Sequence, residues 1–183
     1  MGRYRKPDPE LLTKTNYITR DGYDKLEKEL TYLWKDERPR ITKSVSEAAA
    51  QGDRSENAEY IYGKKRLREI DWRVRFLTKR LEALKVIYPS SEQEGKVFFG
   101  AWVEVENDEG ELTKIRIVGP DEIDVCKKWI SIDAPMARAL IGKQVDEEAL
   151  VQTPTGKVCY IVNSISYHAP EVVAEKEPED SAK

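Results

Sequence analysis

Apolar residues advance in steps of three and four along the first third of the chain: Tyr23, Leu26, Leu30 and Leu33 form a stripe. It continues by fours through Glu37, Ile41 and Val45, then by three to Ala48. This spacing keeps one face of a helix apolar and predicts a helix from Arg20 to Gln51 with Thr19 as its N-cap. The repeated steps of four are a stutter, and Pro39 lies inside it. A proline in a helix removes a backbone hydrogen bond, so a bend is predicted there. A second stripe is regular. Tyr60, Leu67, Val74 and Leu81 form one heptad set, and Gly63, Ile70, Leu77 and Leu84 the other, on a helix predicted from Ser55 to Ile87. At ~1.5 Å per residue each helix is roughly 48–50 Å long. Only a short turn separates them, so they fold back into an antiparallel coiled-coil hairpin rather than pairing between chains. The seam shrinks toward Ala48-Ala49-Ala50, and the stretch GDRSENAEY (52–60) becomes the tip of a needle.

After Ile87-Tyr88-Pro89-Ser90-Ser91 the period changes to two. Val97–Phe99, Ala101–Glu106, Leu112–Val118, Trp129–Ile132, Ala149–Thr153 and Lys157–Tyr167 read as strands, with a hairpin turn at Asn107-Asp108-Glu109-Gly110. Asp133 to Leu140 reads as a cap, a first-turn proline and a short helix. The fold class is α+β: an N-terminal antiparallel coiled-coil hairpin (17–88) and a small antiparallel sheet domain of about five strands with one short helix (89–168). Residues 1–16 read as a flexible leader, and 169–183 as a disordered acidic tail.

Composition sharpens this picture. Charged residues make up 36% of the chain and hydrophobic ones 39%, which suits a needle that buries only a seam. The net charge of −3 conceals a segregation: Lys64 to Arg80 holds eight Lys/Arg against two Asp/Glu, while Glu92 to Glu148 holds seven against fourteen. The basic helix suits a polyanion such as RNA, and the acidic half suits a basic protein surface. Cys126 and Cys159 have no metal or disulfide spacing, so a reducing, cytoplasmic setting is expected. No run is long enough to span a membrane, no signal-like segment is evident, and no membrane partner is expected. His168, the one histidine, reads as a surface residue.

The segments ITRDGYDKLEKEL, GDRSENAEY, KKRLREID, EGKVFFGAWVEVE and WISIDAPMARALIGK, spread over residues 17 to about 167, together resemble the Gre-type bacterial transcript-cleavage factors. Arg54 and the dense basic run place the likeness nearer the GreB branch than the GreA branch. The resemblance implies a C-terminal domain of FKBP-like topology. It also implies a monomer whose needle enters the secondary channel of bacterial RNA polymerase. There it would stimulate cleavage of the extruded RNA 3′ end in backtracked complexes without being an enzyme itself. The chain departs from the family at Ala134, where Ser is frequent, and at Asp146-Glu147-Glu148, where Gly-Asp is usual. Prolyl isomerase activity does not follow from an FKBP-like topology.

The tip chemistry can be argued from its residue types. In-line RNA hydrolysis needs an activated water and neutralisation of an anionic phosphorane, which paired divalent ions supply. Asp53 and Glu56, three apart at the start of a helix, share a face. Too few to hold Mg²⁺ alone, they could complete a site whose other ligands belong to the polymerase. They are the candidate catalytic and metal-sharing residues, with Glu59 a weaker one. Asp53-x-x-Glu56 also fits a capping box, and both roles can coexist. Tyr60 begins the seam and could also meet a base. Lys64, Lys65, Arg66 and Arg68 are the candidate RNA-binding residues. Arg66, Arg73 and Arg80 recur by sevens beside the seam and could instead pair with acids on the first helix such as Glu27, Asp36 and Glu37. Asp133, Ala134, Pro135 and Met136 are the candidate polymerase contacts, with Asp133 alternatively a helix cap.

Overall fold

The computed structural model describes residues 15–50, 54–88, 93, 95–153 and 156–168, apart from the side chain of Thr153. Its first half is a helical hairpin. Strand β1 (Tyr17–Ile18) leads into α1 (Arg20–Tyr32), capped by Thr19, whose hydroxyl accepts from the Gly22 N–H at 3.2 Å. Helix α1 runs into a π-helical turn (Leu33–Glu37) and on into α2 (Arg38–Ala50), and α3 (Ala58–Ala83) returns beside them. Just before Pro39, where the sequence predicts a bend, the chain passes through this π turn. The Arg38 N–H bonds the Leu33 carbonyl, five residues back, so the turn holds one residue more than an α turn. That extra residue absorbs the stutter, and both Leu33 and Glu37 face inward, 7% and 8% exposed. The hairpin core contains Ile18, Leu26, Leu33, Ile70, Leu77 and Leu84, all buried and all but Ile18 on the two predicted stripes.

Helix α3 is shorter at both ends than the pattern predicts. Its N-cap is Asn57 and it stops at Ala83, although Leu84 and Ile87 extend the apolar pattern. Leu84 turns to an extended conformation, and the chain continues as β2 (Lys85–Val86), paired parallel with β1. Lys85 N–H donates to the Asn16 carbonyl (2.7 Å) and Ile87 N–H to that of Ile18 (2.9 Å). These bonds satisfy the backbone groups that would otherwise continue the helix. Thr15 and Asn16, assigned from the sequence to the leader, are thereby tied into the base of the hairpin. The rest of the leader and the acidic tail lie outside the described residues, and His168, at the end of the second domain, is exposed.

The second half contains β3 (Trp102–Asn107), β4 (Leu112–Val118), β5 (Trp129–Ser131), α4 (Pro135–Leu140), β6 (Glu148–Thr153) and β7 (Gly156–Ser166). Five strands order as β5-β4-β3-β7-β6. Neighbours are antiparallel except β4 and β5, which run parallel because a loop and crossing segment, rather than a hairpin, join them. Val97–Phe99, predicted as strand, instead follows an isolated bridge between Lys96 and Gln144 and enters a turn at Phe99–Gly100. Alternate residues of β3 and β4 (Val103, Val105, Ile115, Ile117) meet Val97, Leu140 and Val162 in a second core. The molecule is α+β, a helical hairpin followed by a curled sheet.

Candidate functional site

The hairpin narrows toward its tip. Ala48 is 2% exposed, and Gly63 faces Val45 so closely that a Cβ there would lie 2.4 Å from Val45 Cγ2. Small residues let the two backbones approach, which keeps the end of the needle thin. Asn57 closes it. Its Oδ1 accepts from the Tyr60 N–H at 3.3 Å, capping α3, while its Nδ2 donates to the Ala48 carbonyl of α2 at 3.0 Å. One side chain thus fixes both the start of one helix and the end of the other. The sequence also fits an Asp53/Glu56 capping box at this helix start, whereas the structure caps α3 with Asn57. That box does not form, because Glu56 precedes the cap, in the turn Arg54–Glu56, instead of occupying the first helical turn. For the same reason, Glu56 does not sit on an α3 face.

Arg54, Glu56 and Glu59 are exposed, and Asp53 lies outside the described residues. Glu56 has no ion pair among the described residues, which contain no group of three or more potential metal-ligating side chains. A lone, solvated carboxylate is a hard oxygen donor that fits one position of a shared Mg²⁺ shell and not a complete site. Tyr60 is half-buried at the end of the seam with the Lys64 ammonium 5.5 Å from its ring centre.

The arginines spaced by sevens are committed to pairing. Arg66 reaches Glu37 at 2.7 Å and Glu69 at 3.3 Å. Arg73 grips Glu29 with two bonds of 2.7 and 2.8 Å, holding that carboxyl below its ordinary pKa chiefly through the hydrogen bonds. Arg80 is bound on all sides: to Asp121 at 2.8 Å, to Asn16 Oδ1 at 2.7 Å and to the Thr15 carbonyl at 3.1 Å. Among the predicted RNA-binding residues, Arg66 therefore has a structural partner. Lys64, Lys65 and Arg68 are exposed and carry no ion pair among the described residues.

Several contacts join hairpin and sheet at the base. Glu122 accepts from the Thr19 hydroxyl, from the Thr19 N–H at 2.9 Å and from the Gly119 N–H at 3.2 Å. Asp133 accepts from the Thr15 N–H at 3.1 Å and the Thr15 hydroxyl at 2.6 Å. Asp133 is therefore not the cap of α4, which begins after Ala134 with no side-chain cap bond. Of the four predicted polymerase contacts, Pro135 is exposed, while Ala134 and Met136 lie half-buried against the sheet core. Ala134 borders an open apolar groove lined by Ile123, Val125, Trp129 and Ile130. Among the described residues no helix is long and apolar enough to cross a membrane.

Two family descriptions divide the chain between them. Residues 16–86 match "Transcription elongation factor, N-terminal", and residues 92–167 match "Transcription elongation factor, GreA/GreB, C-term". The chain is 67% identical over 156 residues to transcription elongation factor GreB of Yersinia pestis, covering 85% of this chain and 91% of that one. It is also 67% identical over 156 residues to GreB of Haemophilus ducreyi, covering 85% and 96%. To GreB of Vibrio cholerae it is 61% identical over 160 residues, covering 87% and 99%.

Proposed function

The chain belongs to the GreA/GreB family of transcription elongation factors as a GreB-like member, and on that premise we propose that its needle enters the secondary channel of RNA polymerase. There it stimulates Mg²⁺-dependent cleavage of the RNA 3′ end in backtracked complexes, so that elongation resumes. The observation that carries this reading is the exposed Glu56 at the end of a closed, slender hairpin. A carboxylate so placed can be delivered into a deep site that a compact domain could not enter. Asp53 joins it as the second carboxylate.

When bound between these side chains and the polymerase's own carboxylates, the divalent ion supplies an activated water and neutralises phosphate charge. The chain's residues have narrower tasks. Glu56 and Asp53 offer oxygen ligands. Asn57 holds the tip closed directly beside Glu56. Lys64, Lys65 and Arg68 attract the phosphates of the extruded RNA, while Arg66, paired with Glu37, chiefly stiffens the shaft. Pro135 and the neighbouring groove face the polymerase rim. The protein acts as a monomer in the cytoplasm and contributes to an active site that it does not itself contain.

The test is cleavage in stalled complexes with purified polymerase. The protein should release short RNA 3′ fragments, and Glu56→Gln and Asp53→Asn should each lower that rate by about a hundredfold or more while binding to polymerase persists. Inhibition without fragments would assign the needle to channel occlusion. Full cleavage by both variants would remove the tip carboxylates from the chemistry.

A further inference from the structure

The face of α3 turned away from the seam carries two exposed aromatic rings among cations. Tyr62 is 70% exposed and Trp72 45% exposed. On a helix of 3.6 residues per turn, Lys65 and Arg68 fall on the same outward face between them, and Lys79 follows Trp72 by two turns. Trp72 is not a loose ring. It stacks on Phe76 at 5.8 Å with the planes 14° apart, and Phe76 packs against the hairpin core. The indole is thus braced from below with part of its surface open to solvent. It also walls a shallow depression shared with Lys65, Arg68 and Glu69.

Neither coiled-coil packing nor solubility requires this arrangement. The seam lies on the opposite side of the helix, and the arginines that stabilise the shaft are on its flank. Rings interleaved with cations suit one ligand chemistry well, a single-stranded nucleic acid, whose bases stack and whose phosphates need neutralising. A basic protein surface would be repelled by the same cations.

We propose that Tyr62 and Trp72, with Lys65 and Arg68 between them, form a stacking track for single-stranded RNA along the outside of the needle. This rests on the proposed function and deepens it, because the track would guide RNA that has passed beyond the tip. Trp72 lies fourteen residues along α3 from Ala58, about 21 Å. At a stacked rise of ~3.4 Å per nucleotide this corresponds to about six nucleotides of extruded RNA. Tyr62 is met first and Trp72 only by longer segments.

The experiment compares cleavage in polymerase complexes backtracked by a dinucleotide and by about ten nucleotides, a length within the range of a single-strand binding track. The ratio of long- to short-segment cleavage should fall about fivefold or more for Trp72→Ala and recover with Trp72→Phe, which keeps a stacking face. A parallel titration with fluorescently labelled oligoadenylate, without polymerase and at low salt, should show the same loss in affinity. Trp72→Ala should leave its salt slope intact, while Lys65→Ala with Arg68→Ala should flatten it. An unchanged ratio together with unchanged oligoadenylate affinity overturns the track. An equal deficit at both lengths with unchanged oligoadenylate affinity also overturns it, assigning Trp72 to the polymerase wall. Failure of the unaltered protein to stimulate any cleavage would sink the proposed function, and the oligoadenylate titration would still decide the track.

Discussion

The base and the tip of the hairpin use the same kinds of residue for opposite ends. At the base, charge is neutralised and enclosed: Arg80 is 8% exposed, with Asp121, Asn16 and Thr15 as its acceptors. At the tip, Glu56 is exposed with no ion pair among the described residues. The arginines spaced by sevens grade from one condition to the other. Their side chains are 47%, 37% and 8% exposed at Arg66, Arg73 and Arg80. Paired and enclosed charge lies where the needle joins the second domain, and exposed charge at the end that the proposed function assigns to the polymerase. An end so far from the core can be left polar at little cost, provided the shaft is stiff.

The comparison breaks most severely at its base. Arg80→Ala removes a buried guanidinium and leaves the Asp121 carboxylate, only 12% exposed, without its partner; a loss of about 3 kcal/mol is expected, read as a fall in urea midpoint. Asn57→Ala removes both the α3 cap and the bond to Ala48, and about 1–2 kcal/mol is expected, with faster amide exchange in the first turn of α3. Gly63→Ala sets a helix gain of ~1 kcal/mol against overpacking of about 1–3 kcal/mol on Val45. A net loss near 1 kcal/mol should follow, and Val45→Ala in the same chain should recover it, which locates the cause at that contact.

The midpoint of the gradient is open to pH. Because Arg73 holds the Glu29 carboxyl below its ordinary pKa, the pair stabilises the fold fully above the unfolded value of about 4.3 and loses that contribution as pH falls from there through the lowered folded-state value. Urea midpoints measured from about pH 6 to about pH 3 should decline less steeply in Glu29→Gln than in the unaltered chain. The smallest effect belongs to the tip: Glu56→Gln should alter stability by less than about 0.5 kcal/mol, even though it removes a group assigned to the chemistry.

What could be read in the sequence follows the same division. The seam at Leu26, Leu33, Ile70, Leu77 and Leu84 was legible because periodicity records which face is buried. The stutter marked where α1 gives way, though not that it would widen into a π turn. The β1–β2 pair was not legible, since two residues carry no period and the partners are far apart in sequence. The same ambiguity misled the reading of Asp133, which had the look of a cap but bonds Thr15, 118 positions away. At the tip, several polar residues in a row could each cap α3. The bond from the Tyr60 N–H to Asn57 Oδ1 shows that Asn57 does so, and its contact to Ala48 lies across the turn, where no local pattern records it. Trp72 was passed over because heptad reading attends to the buried side of a helix.

The widened turn at Leu33–Glu37 acts as a rotational offset between two consecutive screws. Each residue of an α-helix advances the azimuth by about 100°. Deleting one residue there would swing Val45 and Ala48 off the partner helix and turn the outgoing chain to a new bearing. The direction in which the point of the needle faces is therefore determined about 20 Å behind it, by how many residues that one turn holds.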